Sequence, residues 1–158
     1  ALAARKPAGL QSLVLLAPSP PTPEPIAEND RKHLLETHGS REAAVKTVSK
    51  AAALKLPSEI FKRAVRDNLR SSEKAWRAWL ESESRTDISA KMPNITAPVL
   101  VLSGENDETI KKDLLEREVV KRLEKSKLTT IPQAGHLLPL EVPEMTAKLI
   151  AKFVNNGL

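Results

Sequence analysis

The 158-residue chain carries 25 Lys and Arg against 20 Asp and Glu, a formal charge of +5, with 41% hydrophobic and 28% charged residues. This is the composition of a globular protein of one or at most two domains, long enough to bury a substantial core. The absence of cysteine excludes disulfides, thiolate nucleophiles and cysteine metal sites, and 3% aromatic residues offer nucleic-acid bases little to stack on.

The basic residues are scattered among acids rather than clustered, so no nucleic-acid partner is expected. No apolar run reaches the roughly 18 to 20 residues of a membrane span, so no membrane partner is expected either. The lack of cysteine fits a cytoplasmic protein.

The chain opens with ALAARKP, which reads as the last turns of an Ala-rich helix stopped before Pro7. A chain that opens inside a helix is expected to be the C-terminal part of a larger protein. Leu10 to Ala17, LQSLVLLA, is a continuous apolar run too short for a helix and suits a parallel strand covered on both faces. Pro18 to Pro25, PSPPTPEP, lacks amide donors at every proline and reads as a rigid extended linker. Residues 1–25 therefore form one segment.

From Ile26 the pattern is helical, without a strand-like stretch, and residues 26–86 form a second segment. Glu28 to Thr37 make a short helix that Gly39 stops. Ser40 caps a second helix with Ala43, Ala44, Val45 and Val48 on one stripe. Pro57 and Ser58 open a third, and Ser72 with Glu73 opens a fourth. These small amphipathic helices are expected to form a lid-like insert. Trp76 and Trp79, three apart on one face of the fourth, either pack the insert onto the main domain or line an acyl or aromatic substrate pocket.

In residues 87–158 the period changes. Val99 to Ser103, VLVLS, is a second strand ending at Gly104. Lys111 to Lys125 carry Leu114, Leu115, Val119, Val120 and Leu123 on one helical face. Leu128 to Ile131 make a third strand, and Pro143 to Asn155 a closing amphipathic helix. Strands alternating with helices predict an α/β fold with about three parallel strands, flanking helices and a helical insert.

Ligands bind beyond the carboxyl ends of strands in open α/β sheets. Asp107 and His136 each follow such an end, on neighbouring strands. The aspartate can there fix the tautomer of the imidazole, whose other nitrogen takes a proton from a nucleophile or water. Glu105 and Glu108 flank Asp107 and compete with it for the acid role. Asp87 reads as a local cap. Ser19 and Ser103 follow strands but lie in no nucleophile turn. His33 and His38 are five apart, a spacing that shares no helical face well, and no cluster supports a metal site. No cofactor is expected.

PVLVLSGENDETI followed by LTTIPQAGHLLPLEVPEMTAKLIAKFV resembles the C-terminal signature of the α/β-hydrolase fold superfamily. The resemblance implies that Asp107 is the acid and His136 the base of a nucleophilic triad, with Glu141, Pro143 and Glu144 forming the tail after the histidine. Upstream, ALAARKP and LQSLVLLAPSP resemble the end of the helix after the nucleophile and the next strand, and the insert resembles the helical cap. Leu137, beside His136, joins Trp76 and Trp79 as a candidate substrate contact, and Glu141 is expected to hold the histidine loop.

The sequence departs from that family in two respects: it contains no Gly-x-Ser-x-Gly pentapeptide, and the oxyanion-hole loop, which the resemblance places still earlier, is absent from it too. Loss of the serine alone can cost around 10⁶-fold in turnover. The chain is therefore expected to be inactive by itself, as part of a cap-bearing esterase- or lactonase-like hydrolase. Its nucleophile would come from an N-terminal segment or another chain placed along Leu10 to Ala17. The alternative is a non-catalytic interaction module or pseudoenzyme that associates through that open sheet edge.

Overall fold

In the computed structural model, which describes residues 1–157, the three expected strands form one parallel sheet. Leu158, the last residue of the predicted third segment, lies outside the described residues. The strands are β1 (Leu13–Leu16), β2 (Val99–Gly104) and β3 (Ser126–Ile131), in the order β1-β2-β3. Leu13 pairs with Val99 and Leu16 with Leu102 on one side of β2, and Val99 with Ser126 and Gly104 with Ile131 on the other.

Every residue of β2 is buried, because both faces of the sheet are covered. Val99 and Val101 face a cluster with Met92, Ile95, Leu115 and Val119. Leu100 and Leu102, on the opposite face, meet Ile131, Leu138 and Phe153. Two-sided burial explains why this strand is continuously apolar rather than alternating.

Between β1 and β2 run four helices, α1 (Glu28–Glu36), α2 (Arg41–Ala51), α3 (Ser58–Leu69) and α4 (Glu73–Glu81). Ser40 caps α2 by accepting the N–H of Ala43 at 3.3 Å, and Ser72 caps α4 by accepting that of Ala75 at 3.5 Å. Ala44, Val48, Leu56 and Val65 form a separate apolar cluster within this insert. The buried Arg31 of α1 donates to the carbonyl of Leu80 and the hydroxyl of Ser84, tying α1 to the end of α4. The proline-rich stretch before α1 runs beside the return path: Glu24 N–H donates to Ser84 O at 2.8 Å and Ile88 N–H to Pro21 O at 2.7 Å.

After β2 come α5 (Lys112–Glu118), β3, the single turn α6 (Leu138–Glu141) and α7 (Pro143–Asn156). Several elements differ from the sequence-based expectation. The first strand, expected over Leu10 to Ala17 and covered on both faces, is only Leu13–Leu16 and partly buried, because no strand flanks its outer edge among the described residues. Two unexpected 3₁₀ segments, Glu83–Arg85 and Ser89–Asn94, lie between α4 and β2. The opening residues make one 3₁₀ turn, Ala3–Arg5, which Lys6 closes with φ +50°. The helix expected from Lys111 to Lys125 ends at Glu118, and a 3₁₀ turn, Val120–Arg122, follows. Adjacent β-branched Val119 and Val120 fit a helix poorly, and breaking it there lets Val119 and Leu123 both enter the core. The short α6 was not expected; Pro139 in its first turn is its sequence mark. No helix among the described residues is long and apolar enough to cross a membrane.

Candidate active site

Two loops at the carboxyl ends of β2 and β3 meet. The turn after β2, Gly104 to Asp107, donates Glu105 N–H to Ile131 O at 3.0 Å and Asn106 N–H to Ala134 O at 2.9 Å. Gln133 N–H answers by donating to a carboxylate oxygen of Glu105 at 3.0 Å. Gly104 is required by this approach. A Cβ there would collide with the carbonyl oxygens of Ala134 and Gly135, which are main-chain atoms and cannot swing away.

The docking brings Asp107 to His136. Asp107 is buried, 2% exposed, and its Oδ1 accepts the N–H groups of Thr109 at 2.8 Å and Ile110 at 2.9 Å. Its Oδ2 lies 2.9 Å from Nδ1 of His136. Burial works against ionisation of this carboxyl, but the hydrogen bond from His136, the two backbone N–H groups and the attraction of the imidazole outweigh it and hold the pKa below the ordinary aspartate value. An ionised carboxylate can only accept, so Nδ1 carries the hydrogen and Nε2 of a neutral ring is left as the acceptor. The His136 side chain is 27% exposed, and its Nε2 makes no hydrogen bond among the described residues. A buried acid thus orients a base whose free nitrogen can take a proton.

The histidine loop is also fastened to the insert. His136 N–H donates to the carbonyl of Ala51, the last residue of α2, at 2.8 Å. Gly135 packs so closely on this connection that a Cβ would lie 2.6 Å from Ala53 N and 2.8 Å from Ala51 O. One oxygen of Glu141, Oε2, accepts the N–H groups of Ala53 at 2.8 Å, Leu54 at 2.8 Å and Gly135 at 3.0 Å. Its other oxygen, Oε1, accepts that of Leu137 at 3.0 Å. The half-buried side chain of Leu137 packs against the insert cluster of Ala44, Val48, Leu56 and Val65.

The remaining candidates lie elsewhere. Trp76 donates Nε1–H to Leu34 O at 3.1 Å and stacks on His38 at 5.6 Å, with Trp79 tilted against it at 5.4 Å. These contacts are internal to the insert. The cavity beside Trp76, lined also by Leu34 and His38, is about 20 Å³, room for one water. A larger cleft of about 550 Å³ lies on the α2–α3 connection, between Ala53, Leu54, Leu56 and Phe61.

Glu108 pairs with Lys111 at 2.7 Å, and Asp87 caps Ser89 N–H at 2.8 Å. Ser103 is fully buried, 3.3 Å from the hydroxyl of Thr130, and Ser19 is exposed in the proline-rich stretch. Among the described residues no group of three or more His, Cys, Asp and Glu side chains could hold a metal ion. Sequence reasoning missed Ala51, Ala53 and Leu54, whose contribution is main-chain polarity. Side-chain chemistry carries no mark of it.

A three-stranded parallel sheet with an aspartate and a histidine joined at its carboxyl edge defines a protein of the α/β class. The model of the alpha/beta hydrolase family matches residues 1–149, and the chain belongs to that family. Over 73 residues it is 32% identical to a Bacillus subtilis protein described as a 2-succinyl-6-hydroxy-2,4-cyclohexadiene-1-carboxylate synthase; the match covers 46% of this chain and 26% of the relative. An esterase from Exiguobacterium antarcticum superposes with a TM-score of 0.83 at 15% identity, over 92% of this chain and 57% of the esterase. An α/β hydrolase enzyme from a Medee basin deep-sea metagenome library gives 0.78 at 20% identity, over 98% and 59%. A bromoperoxidase from Bacillus anthracis gives 0.76 at 13% identity, over 92% and 58%. The chain thus spans 57–59% of these solved structures, whose likeness is one of fold.

Proposed function

We propose that this chain is the C-terminal part of a cap-bearing hydrolase and supplies the acid and base of a Ser-His-Asp triad that cleaves an ester, lactone or similar bond. The observation that carries this reading is the 2.9 Å contact between Nδ1 of His136 and the buried Asp107, with Nε2 free to face a nucleophile. The serine lies outside this sequence, on an N-terminal segment or another chain along β1. Helices α1 to α4 act as the cap, with Leu137 contacting substrate beside the histidine and Trp76 and Trp79 as the aromatic candidates. A cytoplasmic location is our reading of the cysteine-free sequence.

In the proposed reaction the serine oxygen attacks the carbonyl carbon while Nε2 of His136 takes its proton, a role worth roughly 10²–10⁴-fold. The tetrahedral adduct then collapses, its carbon–oxygen bond breaks, and Nε2–H returns the proton to the leaving alcohol. Water attacks the acyl-serine by the same exchange, releasing the acid and restoring the serine. Asp107 stays ionised throughout and holds the imidazolium.

The test is turnover of nitrophenyl esters by the chain alone, and by the chain joined to the polypeptide encoded immediately upstream. The expected result is no turnover above background for the chain alone, and turnover by the joined protein that His136→Ala abolishes. Turnover by the chain alone that depends on His136 would overturn the claim of inactivity. A start codon immediately before Ala1 would overturn the N-terminal segment as the source of the serine and leave only another chain.

A second reading rests on β1, whose outer edge has no strand partner among the described residues. Such an edge can recruit a strand from another protein. In that reading the chain is a non-catalytic interaction module or pseudoenzyme, and the joined protein stays inactive while the chain captures a partner along Leu13–Leu16.

A further inference from the structure

We propose that Glu141 is a positioning residue that sets the place of the helical insert and the place of His136 with a single carboxylate. The inference rests on the reading of His136 as the base. Glu141 has no contact with Asp107 and none with the imidazole among the hydrogen bonds of the described residues, so it acts through the main chain.

Its four acceptor contacts divide between two structural units. Ala53 and Leu54, 88 and 87 residues away in sequence, belong to the α2–α3 connection of the insert. Gly135 and Leu137, 6 and 4 residues away, flank His136 on both sides. His136 itself adds a fifth link, its N–H donating to Ala51 O at 2.8 Å.

None of these amides has another acceptor among the described hydrogen bonds, so the carboxylate is what satisfies them. The Ala53 N–H lies in an exposed position where water can replace the carboxylate, but those of Leu54, Gly135 and Leu137 are partly buried, and leaving them unpaired carries a cost. The histidine loop therefore keeps its conformation only while the insert connection is seated, and the connection seats only on that loop. Gly135 makes the fit possible by bringing no side chain between them. Displacement of the insert at Ala53 and Leu54 must move the main chain on both sides of the base.

The test is amide hydrogen exchange and proton NMR on the full chain. In Glu141→Ala the amides of Ala53, Leu54, Gly135 and Leu137 should lose protection together, by about tenfold or more, while Val101 and Leu102 in β2 keep theirs. The low-field Nδ1–H signal of His136 should shift or broaden with them. In the isosteric Glu141→Gln one end of the side chain becomes a donor; the remaining oxygen keeps the trio of Ala53, Leu54 and Gly135, and Leu137 alone is released, with a smaller shift of the His136 signal.

Loss of protection at the four amides with an unchanged His136 signal would overturn the proposal, leaving Glu141 as a fastener of the insert. A response confined to Gly135 and Leu137 would overturn it as well. Asp107→Asn supplies the reference for a displaced imidazole signal. These readouts need no turnover: an inactive joined protein would count against the hydrolase reading and leave the coupling intact, and the reverse also holds.

Discussion

Nδ1 of His136 lies 2.9 Å from Oδ2 of Asp107, across 29 residues of sequence and the junction of two strand ends. The contact exists because the turn after β2 and the loop after β3 continue the strand pairing through main-chain hydrogen bonds beyond the sheet itself. Replacing Asp107 by Asn removes the charge and favours the wrong tautomer while preserving shape. In the joined protein, on the proposed hydrolase reading, this substitution should lower turnover by about 10⁴-fold with little change in KM. Steady-state ester hydrolysis checks it, and a loss below tenfold would remove Asp107 from the acid role.

The same carboxyl makes stability depend on pH. Burial alone would raise its pKa, but the His136 hydrogen bond and the N–H groups of Ile110 and Thr109 bring it below the ordinary value. The unfolded chain therefore takes up this proton first as pH falls. The stabilisation is complete above the ordinary aspartate value of about 3.9 and is lost as pH falls through the lower folded value. Urea unfolding at about pH 6 and about pH 3 should show a smaller drop for Asp107→Asn than for the unaltered chain. Equal drops would mean that another carboxyl governs the acid limb.

Gly135→Ala tests the close approach of the histidine loop to the insert. The added Cβ would lie 2.6 Å from Ala53 N and 2.8 Å from Ala51 O, both main-chain atoms. A destabilisation of about 1–3 kcal/mol is expected, measured by denaturant unfolding. An unchanged midpoint would show that the two segments separate at no cost.

Trp76→Phe separates the two roles open to that indole. Phenylalanine keeps a ring beside His38 but cannot donate to Leu34 O, now bonded at 3.1 Å. As a packing residue, Trp76 should cost about 1 kcal/mol on replacement, with faster amide exchange in α1 and α4 and unchanged KM in the joined protein. A raised KM at unchanged stability would instead make it a substrate contact.

The central strand β2 was legible in the sequence because a strand buried on both faces has little freedom in composition. Val99 to Leu102 are apolar without interruption, and the observed strand extends the expected one by Gly104 alone. The Asp107–His136 pair was legible through position at strand ends and through the family resemblance. What escaped was determined by main-chain contacts. The one-turn α6 carries only Pro139 as a signal, and the Ala51–Leu54 connection carries none. Glu141 was expected to hold the histidine loop, but its grip on residues nearly ninety positions upstream depends on how tertiary folding brings two backbones together. The α5 boundary was missed for a different reason: periodicity continues through Val120 and Leu123, whereas the backbone changes hydrogen-bond pattern to turn toward β3.

The outgoing and returning paths of the helical insert are joined by Glu24 N–H to Ser84 O at 2.8 Å and Ile88 N–H to Pro21 O at 2.7 Å. Everything between them leaves and re-enters the sheet through one narrow neck. A stretch with so small an end-to-end gap can be exchanged for another of different length at modest entropic cost, since closure depends only weakly on loop length. The sheet, with Asp107 and His136 at its rim, thus needs only these two bonds to close off residues 26–83 at their ends. The socket an exchanged stretch must fit is small: main-chain groups able to meet His136 N–H and the carboxylate of Glu141.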